Sequence, residues 1–169
     1  MADNGKLYPA FDENFPAAMA KVCAKADVIL PNITEASLLT GMPYRTDYDE
    51  SYIREMLERL LALGCKTAAL TGVSFEPDKL GVAYLDREGE SFSYFTHRCP
   101  QSYHGTGDLY SSVVLGGMMR GLSLGSALTL AADFVVLCIE AAAAGSSRWY
   151  GVEFESQIPR LCEMLEKCL

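Results

Sequence analysis

Apolar residues recur along the chain with two alternating periods, one typical of helices and the other of buried strands. Spacings of three and four residues predict helices, and these cover residues 12–25, 32–40 and 49–63. Short continuous apolar runs predict buried strands, and these cover residues 27–30 and 67–71. The alternation of helix and strand is typical of crossover units in a parallel sheet.

Polar and small residues mark the ends of these helices. Asp12 is expected to cap the first helix, and either Asn32 or Thr34 the second. Gly41 is expected to end the second helix and Gly64 the third, because glycine tolerates the backbone that closes a helix.

The pattern changes in the second half of the chain. Two β-rich runs, 81–85 and 91–96, flank a charged loop and predict a hairpin. Three more helices are expected, over residues 107–120, 123–144 and 158–168. A turn containing Gly145, Ser146, Ser147 and Gly151 separates the last two, and near the N-terminus Asn4-Gly5 predicts a turn before a short extended segment.

Composition and charge narrow the class of protein. The chain has 169 residues, of which 50% are hydrophobic and 21% charged, as in a globular domain. Its formal net charge of −8 disfavours nucleic acid and anionic membranes, which recruit clustered lysine and arginine. No apolar run long enough to span a bilayer and no signal-peptide pattern is found. We therefore expect one soluble cytoplasmic domain over residues 1–169.

The six cysteines are scattered without a CxxC pair. Most of them fall inside apolar periodic segments. We interpret them as reduced thiols rather than as disulfides or metal ligands, since intracellular chains rarely keep disulfides.

The stretch Gly105-Thr106-Gly107-Asp108 carries the first candidate chemistry. It is a glycine loop that turns into a helix rich in small residues. Free N–H groups and the helix dipole suit a phosphate there, and Asp108 in the first turn could take a proton from an attacking hydroxyl. The alternative is that Thr106 and Asp108 only cap the helix.

Further polar residues follow the predicted strands. Asn32 and Glu35 come after the first strand and Thr71-Gly72 after the second. In open α/β sheets ligands lie beyond the carboxyl ends of the strands. An Asn/Glu pair able to hold hydrated Mg²⁺, together with a phosphate loop and a base, favours phosphoryl transfer. The GxxxxGK[ST] motif of P-loop enzymes and the glycine loop of protein kinases are both absent.

These motifs resemble the ribokinase superfamily. The resemblance rests on the Gly105–Asp108 loop opening a small-residue helix and on Pro31-Asn32-x-x-Glu35 after a strand. Within the superfamily the chain looks like the vitamin-B6 (pyridoxal or pyridoxamine) kinases, with the hydroxymethylpyrimidine (phosphate) kinases next. The opening Met1–Tyr8 looks like a segment that follows a central strand in those enzymes.

The resemblance implies a three-layer α/β fold, with a mostly parallel sheet flanked by helices and a β-hairpin. It implies ATP-dependent phosphorylation of the hydroxymethyl group of pyridoxal, pyridoxine or pyridoxamine, with Mg²⁺ and a monovalent cation as helpers. Asp108 would be the base, and Gly105, Thr106 and Gly107 the anion hole. The implied nucleotide side consists of Asp3, Asn32, Glu35, Thr71 and Gly72, and Asn32 and Glu35 would lie near Mg²⁺.

The chain also departs from the family pattern. Family enzymes carry a further N-terminal portion that supplies several strands, most of the vitamin pocket and much of a homodimer contact. The resemblance therefore implies a nucleotide-binding C-terminal part, inactive alone for want of a complete pocket and with one exposed sheet edge. Two alternatives stay open: a hydroxymethylpyrimidine kinase, and a non-catalytic nucleotide-binding or association module.

Three minor features each have two interpretations. His104 could orient a phosphate but is more typical of a surface loop residue. Residues 127–144 are expected to pack in the core, and the resemblance places part of the adenine wall nearby. Trp149 and Tyr150 could stack on a base or simply cover the last helix.

Overall fold

The computed structural model describes residues 1–144 and 151–169. The chain divides into two compact units, Met1–Phe95 and Thr96–Leu169. The strands are β1 (Ala2–Asp3), β2 (Lys6–Leu7), β3 (Val28–Ile29), β4 (Thr67–Val73), β5 (Lys79–Asp86) and β6 (Ser91–His97). The helices are α1 (Phe15–Cys23), α2 (Ile33–Thr40), α3 (Glu50–Ala62), α4 (Thr106–Met119), α5 (Leu124–Ala144) and α6 (Ile158–Cys168), with a short 3-10 helix at Glu155–Gln157. The α/β class is confirmed, and the single-domain organisation stays a prediction.

The main sheet has four strands in the order β3-β4-β5-β6. β3 pairs parallel with β4, as expected for a crossover through α2 and α3. β4 pairs antiparallel with β5, so the sheet of this chain is mixed rather than mostly parallel. The physical reason is the short connection between β4 and β5, since parallel neighbours need a crossover of a dozen or more residues.

The core of the N-terminal unit lies between this sheet and its helices. The apolar side of α3 supplies Met56 and Leu60, both fully buried, and β4 supplies Leu70 and Val73. Each fully buried side chain of this size contributes roughly 1.5–3 kcal/mol. The helical spacing in α3 thus determines which face meets the sheet.

A small hairpin precedes the main sheet. β1 pairs antiparallel with β2, with Ala2 opposite Leu7, and the turn between them is Asn4-Gly5 as predicted. Both turn residues have positive φ, 50° and 76°, which suits a two-residue hairpin turn. A side chain at Gly5 would also approach the Tyr44 ring, since a Cβ there would lie 2.9 Å from its Cδ1.

Most helix ends agree with the sequence, and one does not. Asn32 caps α2, Asp49 precedes and caps α3, and Gly41 ends α2 with φ 72°. The prediction that Asp12 caps the first helix is wrong, because α1 begins at Phe15 and no side chain caps it. Asp12 Oδ1 instead accepts the Asn14 N–H at 2.9 Å in the turn before the helix.

The C-terminal unit is built on the packing of α4 against α5. Gly117 allows close approach, because a Cβ there would lie 3.2 Å from the Ala127 Cβ. Phe134 and Leu128 of α5 are fully buried, and Tyr110 of α4 donates its hydroxyl to the Leu128 carbonyl at 3.2 Å. Core packing of α5 is thereby confirmed. The turn predicted around Gly145–Ser147 lies outside the described residues.

Helix α5 is also long and apolar enough to cross a membrane by length and composition. It has 21 residues and a mean hydropathy of 1.9. The expectation that no apolar segment is long enough to span a bilayer was therefore wrong. Core helices pass the same test, and the burial of Phe134 and Cys138 together with packing on α4 accounts for the apolar character of α5.

Candidate functional site

The first turn of α2 brings Asn32 and Glu35 together in a capping box. Asn32 keeps an extended backbone before the helix begins. Its Oδ1 accepts the Glu35 N–H at 2.8 Å, and Glu35 Oε2 accepts the Asn32 N–H at 3.1 Å. The two side chains therefore satisfy N–H groups at the helix start that have no partner within the helix.

The same turn of α2 holds the N-terminal hairpin. Asn32 Nδ2 donates to the Ala2 carbonyl at 2.9 Å, and Thr34 Oγ1 accepts the Gly5 N–H at 3.0 Å. The Met1 α-ammonium lies 2.6 Å from Glu35 Oε1. Ala2 is fully buried and Thr34 is 3% exposed. Three consecutive contacts thus bring Asn32 and Glu35 next to the segment that carries Asp3.

Thr71 and Gly72 lie beside this group, at the end of β4. Thr71 forms an isolated parallel bridge with Asn32, and its N–H donates to the Pro31 carbonyl at 2.9 Å. Gly72 has φ 75° where the β4–β5 register shifts, and a Cβ there would meet no atom. The strand-end residues predicted for the nucleotide side are therefore neighbours of the α2 capping box.

Asp3 is exposed on the hairpin. Its two carboxylate oxygens accept the backbone N–H and the side-chain amide of Asn4, at 2.8 Å and 3.1 Å. The carboxylate is thus ordered by its own turn and open to solvent on its other side.

The donors available for a cation at this place are limited. Both polar side-chain atoms of Asn32 are engaged, and so is Glu35 Oε2. The remaining atom, Glu35 Oε1, accepts a hydrogen bond from the Met1 ammonium at 2.6 Å. Mg²⁺ keeps several waters, so an ion at this oxygen would be held through water and would compete with the ammonium for it. In the described part of the chain no group of three His, Cys, Asp or Glu side chains could hold a metal directly.

The Gly105–Asp108 loop opens α4 in the C-terminal unit. Gly105 is the residue before the helix and has φ 84°, a left-handed backbone that glycine adopts without steric cost. The first intrahelical bond runs from the Leu109 N–H to the Gly105 carbonyl at 3.0 Å. The N–H groups of Thr106, Gly107 and Asp108 therefore precede the helical ladder, where an anion can accept them.

Neither side chain proposed as a simple cap acts as one. Thr106 donates its hydroxyl to the Tyr103 carbonyl at 3.3 Å, and no side chain accepts the N–H groups at the start of α4. Asp108 is exposed, and no described residue is hydrogen-bonded to its carboxylate. The capping alternative thus fails at this helix, and the carboxylate is available for another partner.

The predicted site residues therefore form two groups, one in each compact unit. The N-terminal unit holds Asp3, Asn32, Glu35, Thr71 and Gly72, and the C-terminal unit holds the Gly105–Asp108 loop. His104 is exposed beside that loop. Trp149 and Tyr150 lie outside the described residues, and the adenine wall near α5 stays a prediction.

Two further arrangements were missed by the sequence analysis. A cavity of about 530 Å³ lies over α3, where the Arg45 guanidinium stacks 5.5 Å above the Tyr52 ring. In the C-terminal unit, His97 Nε2 lies 2.9 Å from Glu140 Oε1 and 3.8 Å from Cys99 Sγ. The cavity is built from one local segment with its loop, and the His97–Glu140 contact joins residues 43 positions apart; periodicity of apolar residues carries no signal for either.

The cysteine thiols are free. Burial raises the pKa of Cys23, Cys65 and Cys99, and raises that of Cys138 to about 11. Their thiolate fraction at neutral pH is small, so they are poor nucleophiles.

Three comparisons describe what the chain is similar to. Residues 5–151 match the model of the family described as phosphomethylpyrimidine kinase. The chain is 31% identical over 120 residues to a pyridoxal kinase of Arabidopsis thaliana, over 69% of this chain and 38% of that protein.

Solved structures extend the likeness over nearly the whole chain. The pyridoxal kinase from Lactobacillus plantarum superposes with a TM-score of 0.86 and 33% identity, over 99% of this chain and 60% of that one. A Bacteroides thetaiotaomicron protein provisionally named a phosphomethylpyrimidine kinase, crystallised with pyridoxal, gives a TM-score of 0.86 and 30% identity, over 100% and 59%. The chain spans about half the length of the curated relatives it matches.

Proposed function

The chain belongs to the phosphomethylpyrimidine kinase family, and we propose that it serves the transfer of the ATP γ-phosphate to the hydroxymethyl group of pyridoxal, pyridoxine or pyridoxamine. The predicted relationship to the B6-vitamin kinases and the ribokinase-like fold are confirmed. The relatives are named as kinases, so the family supports a phosphotransferase.

The observation that carries the proposal is the free Asp108 carboxylate at the start of α4. It stands beside N–H groups that no side chain caps, behind a left-handed Gly105. A base and an anion-binding turn within one helical turn are the parts that in-line phosphoryl transfer requires. A residue serving only as a helix cap would have turned its oxygens back to those N–H groups.

In this proposal the residues of the loop act on the transferring phosphate. Gly105, Thr106 and Gly107 form the anion hole, and the positive end of the α4 dipole stabilises the charge that develops there. Asp108 accepts the proton of the substrate hydroxymethyl group as the hydroxymethyl oxygen attacks the γ-phosphorus, the bond from that phosphorus to the bridging β-phosphate oxygen breaks, and ADP leaves.

The N-terminal group would form the nucleotide side. Asp3, Asn32, Thr71 and Gly72 bind or border the ATP phosphates, and Glu35 Oε1 holds hydrated Mg²⁺ through water. Bound Mg²⁺ would neutralise phosphate charge. A monovalent cation, a homodimer of the whole protein and a cytoplasmic location belong to the same proposal.

Two other functions have specific support. The description of the matched family favours hydroxymethylpyrimidine (phosphate) kinase. The share of the relatives' length that the chain spans favours a non-catalytic nucleotide-binding or association module when the chain acts alone.

The test compares the 169-residue chain with a chimaera in which it replaces the matching part of the L. plantarum pyridoxal kinase. We expect the chimaera to phosphorylate pyridoxal and the isolated chain to bind ADP without turnover. In the chimaera Asp108→Asn should lower kcat at least about 100-fold with unchanged ADP affinity, as expected for loss of a general base. The matched control is Ser112→Ala, one turn further along α4, where the hydroxyl only bonds back to the Asp108 carbonyl at 2.8 Å.

Each other outcome decides against part of the proposal. Near-normal turnover of Asp108→Asn would show that Asp108 is not the general base. Phosphorylation of hydroxymethylpyrimidine in place of pyridoxal would favour the pyrimidine kinase. Turnover by the isolated chain would refute an incomplete pocket, and a chimaera that binds ADP without any turnover would favour the non-catalytic module.

A further inference from the structure

Thr34 lies between Asn32 and Glu35, the two residues that form the capping box, and its hydroxyl takes no part in that box. We propose that Thr34 is a positioning residue, whose buried oxygen holds the Asn4-Gly5 turn and thereby fixes the Asp3 carboxylate on the nucleotide side of the site. The inference rests on the proposed function for the role of Asp3, whereas the anchoring of the turn rests on geometry alone.

The Asn4-Gly5 turn is anchored to Thr34 by a single hydrogen bond between residues far apart in the sequence. The Gly5 N–H donates to Thr34 Oγ1 at 3.0 Å, and the two residues are 29 positions apart. Thr34 is 3% exposed, so water does not compete freely for its oxygen. Gly5 itself is exposed, so the cost of breaking this bond falls on the buried Thr34 oxygen, which would lose its donor; that cost favours the docked hairpin.

The Asn4-Gly5 turn is also held by a packing contact at Gly5. Gly5 has φ 76°, and its Cα faces the ring of Tyr44. The ring lies against the glycine on one side, while Thr34 accepts its N–H. The turn is therefore held by a hydrogen bond and a packing contact, and neither involves a side chain of the turn itself.

A second anchor lies on the other side of Asp3. The carbonyl of Ala2 accepts Asn32 Nδ2 at 2.9 Å, and Ala2 is fully buried. Asp3 thus stands between two residues whose backbones are fixed to the first turn of α2. Its carboxylate is restrained further by Asn4 and is exposed to a ligand. Releasing the Gly5 anchor would loosen one of the two attachments that position this carboxylate, without altering its chemistry.

The experiment uses the 169-residue chain with three variants on α2. Thr34→Val keeps the volume and removes the acceptor, and Thr34→Ser restores the hydroxyl. Ser37→Ala is the matched control, since Ser37 is buried one turn further along and bonds only to the Ile33 carbonyl at 2.8 Å. Hydrogen exchange of the Gly5 amide is followed by NMR, and ADP binding with MgCl₂ by calorimetry.

We expect Thr34→Val to speed exchange of the Gly5 amide about 2- to 12-fold, the factor set by the net worth of one hydrogen bond, and to raise the Kd for ADP by a comparable factor. Thr34→Ser and Ser37→Ala should leave both quantities near their wild-type values. In an Asp3→Ala background, Thr34→Val should not weaken ADP binding further, because its effect acts through Asp3.

Three results would overturn the inference: unchanged Gly5 exchange in Thr34→Val, faster exchange with unchanged ADP affinity, or losses from Asp3→Ala and Thr34→Val that simply add. Failure of the proposed function has a different signature, since the wild-type chain would then bind no ADP. In that case the positioning role falls with it, and Gly5 exchange still decides whether Thr34 anchors the turn.

Discussion

Asn32 and Glu35 each bind the other's backbone, with Oδ1 of Asn32 2.8 Å from the Glu35 nitrogen and Oε2 of Glu35 3.1 Å from the Asn32 nitrogen. The other two polar side-chain atoms of the pair are also engaged: Asn32 Nδ2 donates to the Ala2 carbonyl, and Glu35 Oε1 accepts from the Met1 ammonium. One pair of residues therefore starts α2, holds the hairpin and binds the Met1 ammonium.

Asn32→Ala should lower the free energy of unfolding by about 1 kcal/mol, the usual cost of losing a helix cap. For a chain of this size that corresponds to a fall in Tm of about 2–4 °C. Urea titration and thermal melts measure the change. The hairpin amides should also exchange faster, because Asn32 Nδ2 no longer holds Ala2.

Asp49→Ala is the matched control for that prediction. Asp49 caps α3 by accepting the Tyr52 N–H at 3.0 Å, and within the described residues its carboxylate makes no hydrogen bond to the hairpin. A similar loss of stability is expected, with hairpin exchange unchanged. Equal hairpin exchange in both variants would contradict the second role of Asn32.

Gly105→Ala should destabilise the protein by roughly 1–2 kcal/mol, the cost of a left-handed backbone for a residue with a Cβ. Gly116→Ala, inside α4 and with open space around the added Cβ, should stabilise it by about 0.5–1 kcal/mol. Denaturant unfolding of the pair separates backbone strain from the general effect of alanine. A stabilised Gly105→Ala would show that the left-handed turn is not required.

Tyr84 should titrate at unusually high pH. Burial, and then the hydrogen bond to Glu90 at 2.5 Å, raise the pKa of Tyr84 to about 12. The protonated phenol is favoured by the fold, so its stabilisation is complete below pH 10 and is lost as the pH rises from 10 through 12.

The titration of Tyr84 can be isolated from the nine tyrosines of the chain by difference spectra against Tyr84→Phe at 295 nm. Glu90→Gln should lower the pKa of Tyr84 only part of the way, since burial remains as the larger cause. A return to the ordinary value in Glu90→Gln would mean that the carboxylate, and not burial, is the main cause.

Gly81→Ala should be among the most damaging small substitutions in the sheet. The added Cβ would overlap the carbonyl oxygen of Tyr94 and lie 2.9 Å from the Phe95 Cα, so backbone must move. We expect a loss of about 1–3 kcal/mol, measured by urea unfolding. Gly116→Ala serves as the comparison, because it makes the same substitution in open space.

Much of the local structure could be predicted from the pattern of apolar positions. The bounds of α6, Ile158–Cys168, agree at both ends, and α3 differs from the prediction by one residue at each end. Helix formation depends on spacing and caps within a few residues, which sequence displays directly. β4 and β5 extend beyond the predicted runs, because pairing with a neighbouring strand continues after the apolar residues end.

The residues of the candidate site could be picked out from the sequence, but the contacts between them could not. The glycine loop, Asp108 and the Asn32–Glu35 spacing could be recognised as motifs. The Gly5 to Thr34 bond, the bridge between Asn32 and Thr71, and the free state of Asp108 depend on distant segments or on local rotamers, for which periodicity has no signal.

The sequence by itself determined the order of helices and strands, most helix ends and the residue types available for phosphate chemistry, because each follows from local spacing and composition. Only the tertiary structure decided that β5 runs antiparallel to β4, that Asn32 and Glu35 cap α2 while holding the hairpin, and that neither Thr106 nor Asp108 caps α4. The physical reason is that these features arise from competition among partners for the same hydrogen-bonding groups, and folding brings those partners together from distant parts of the chain.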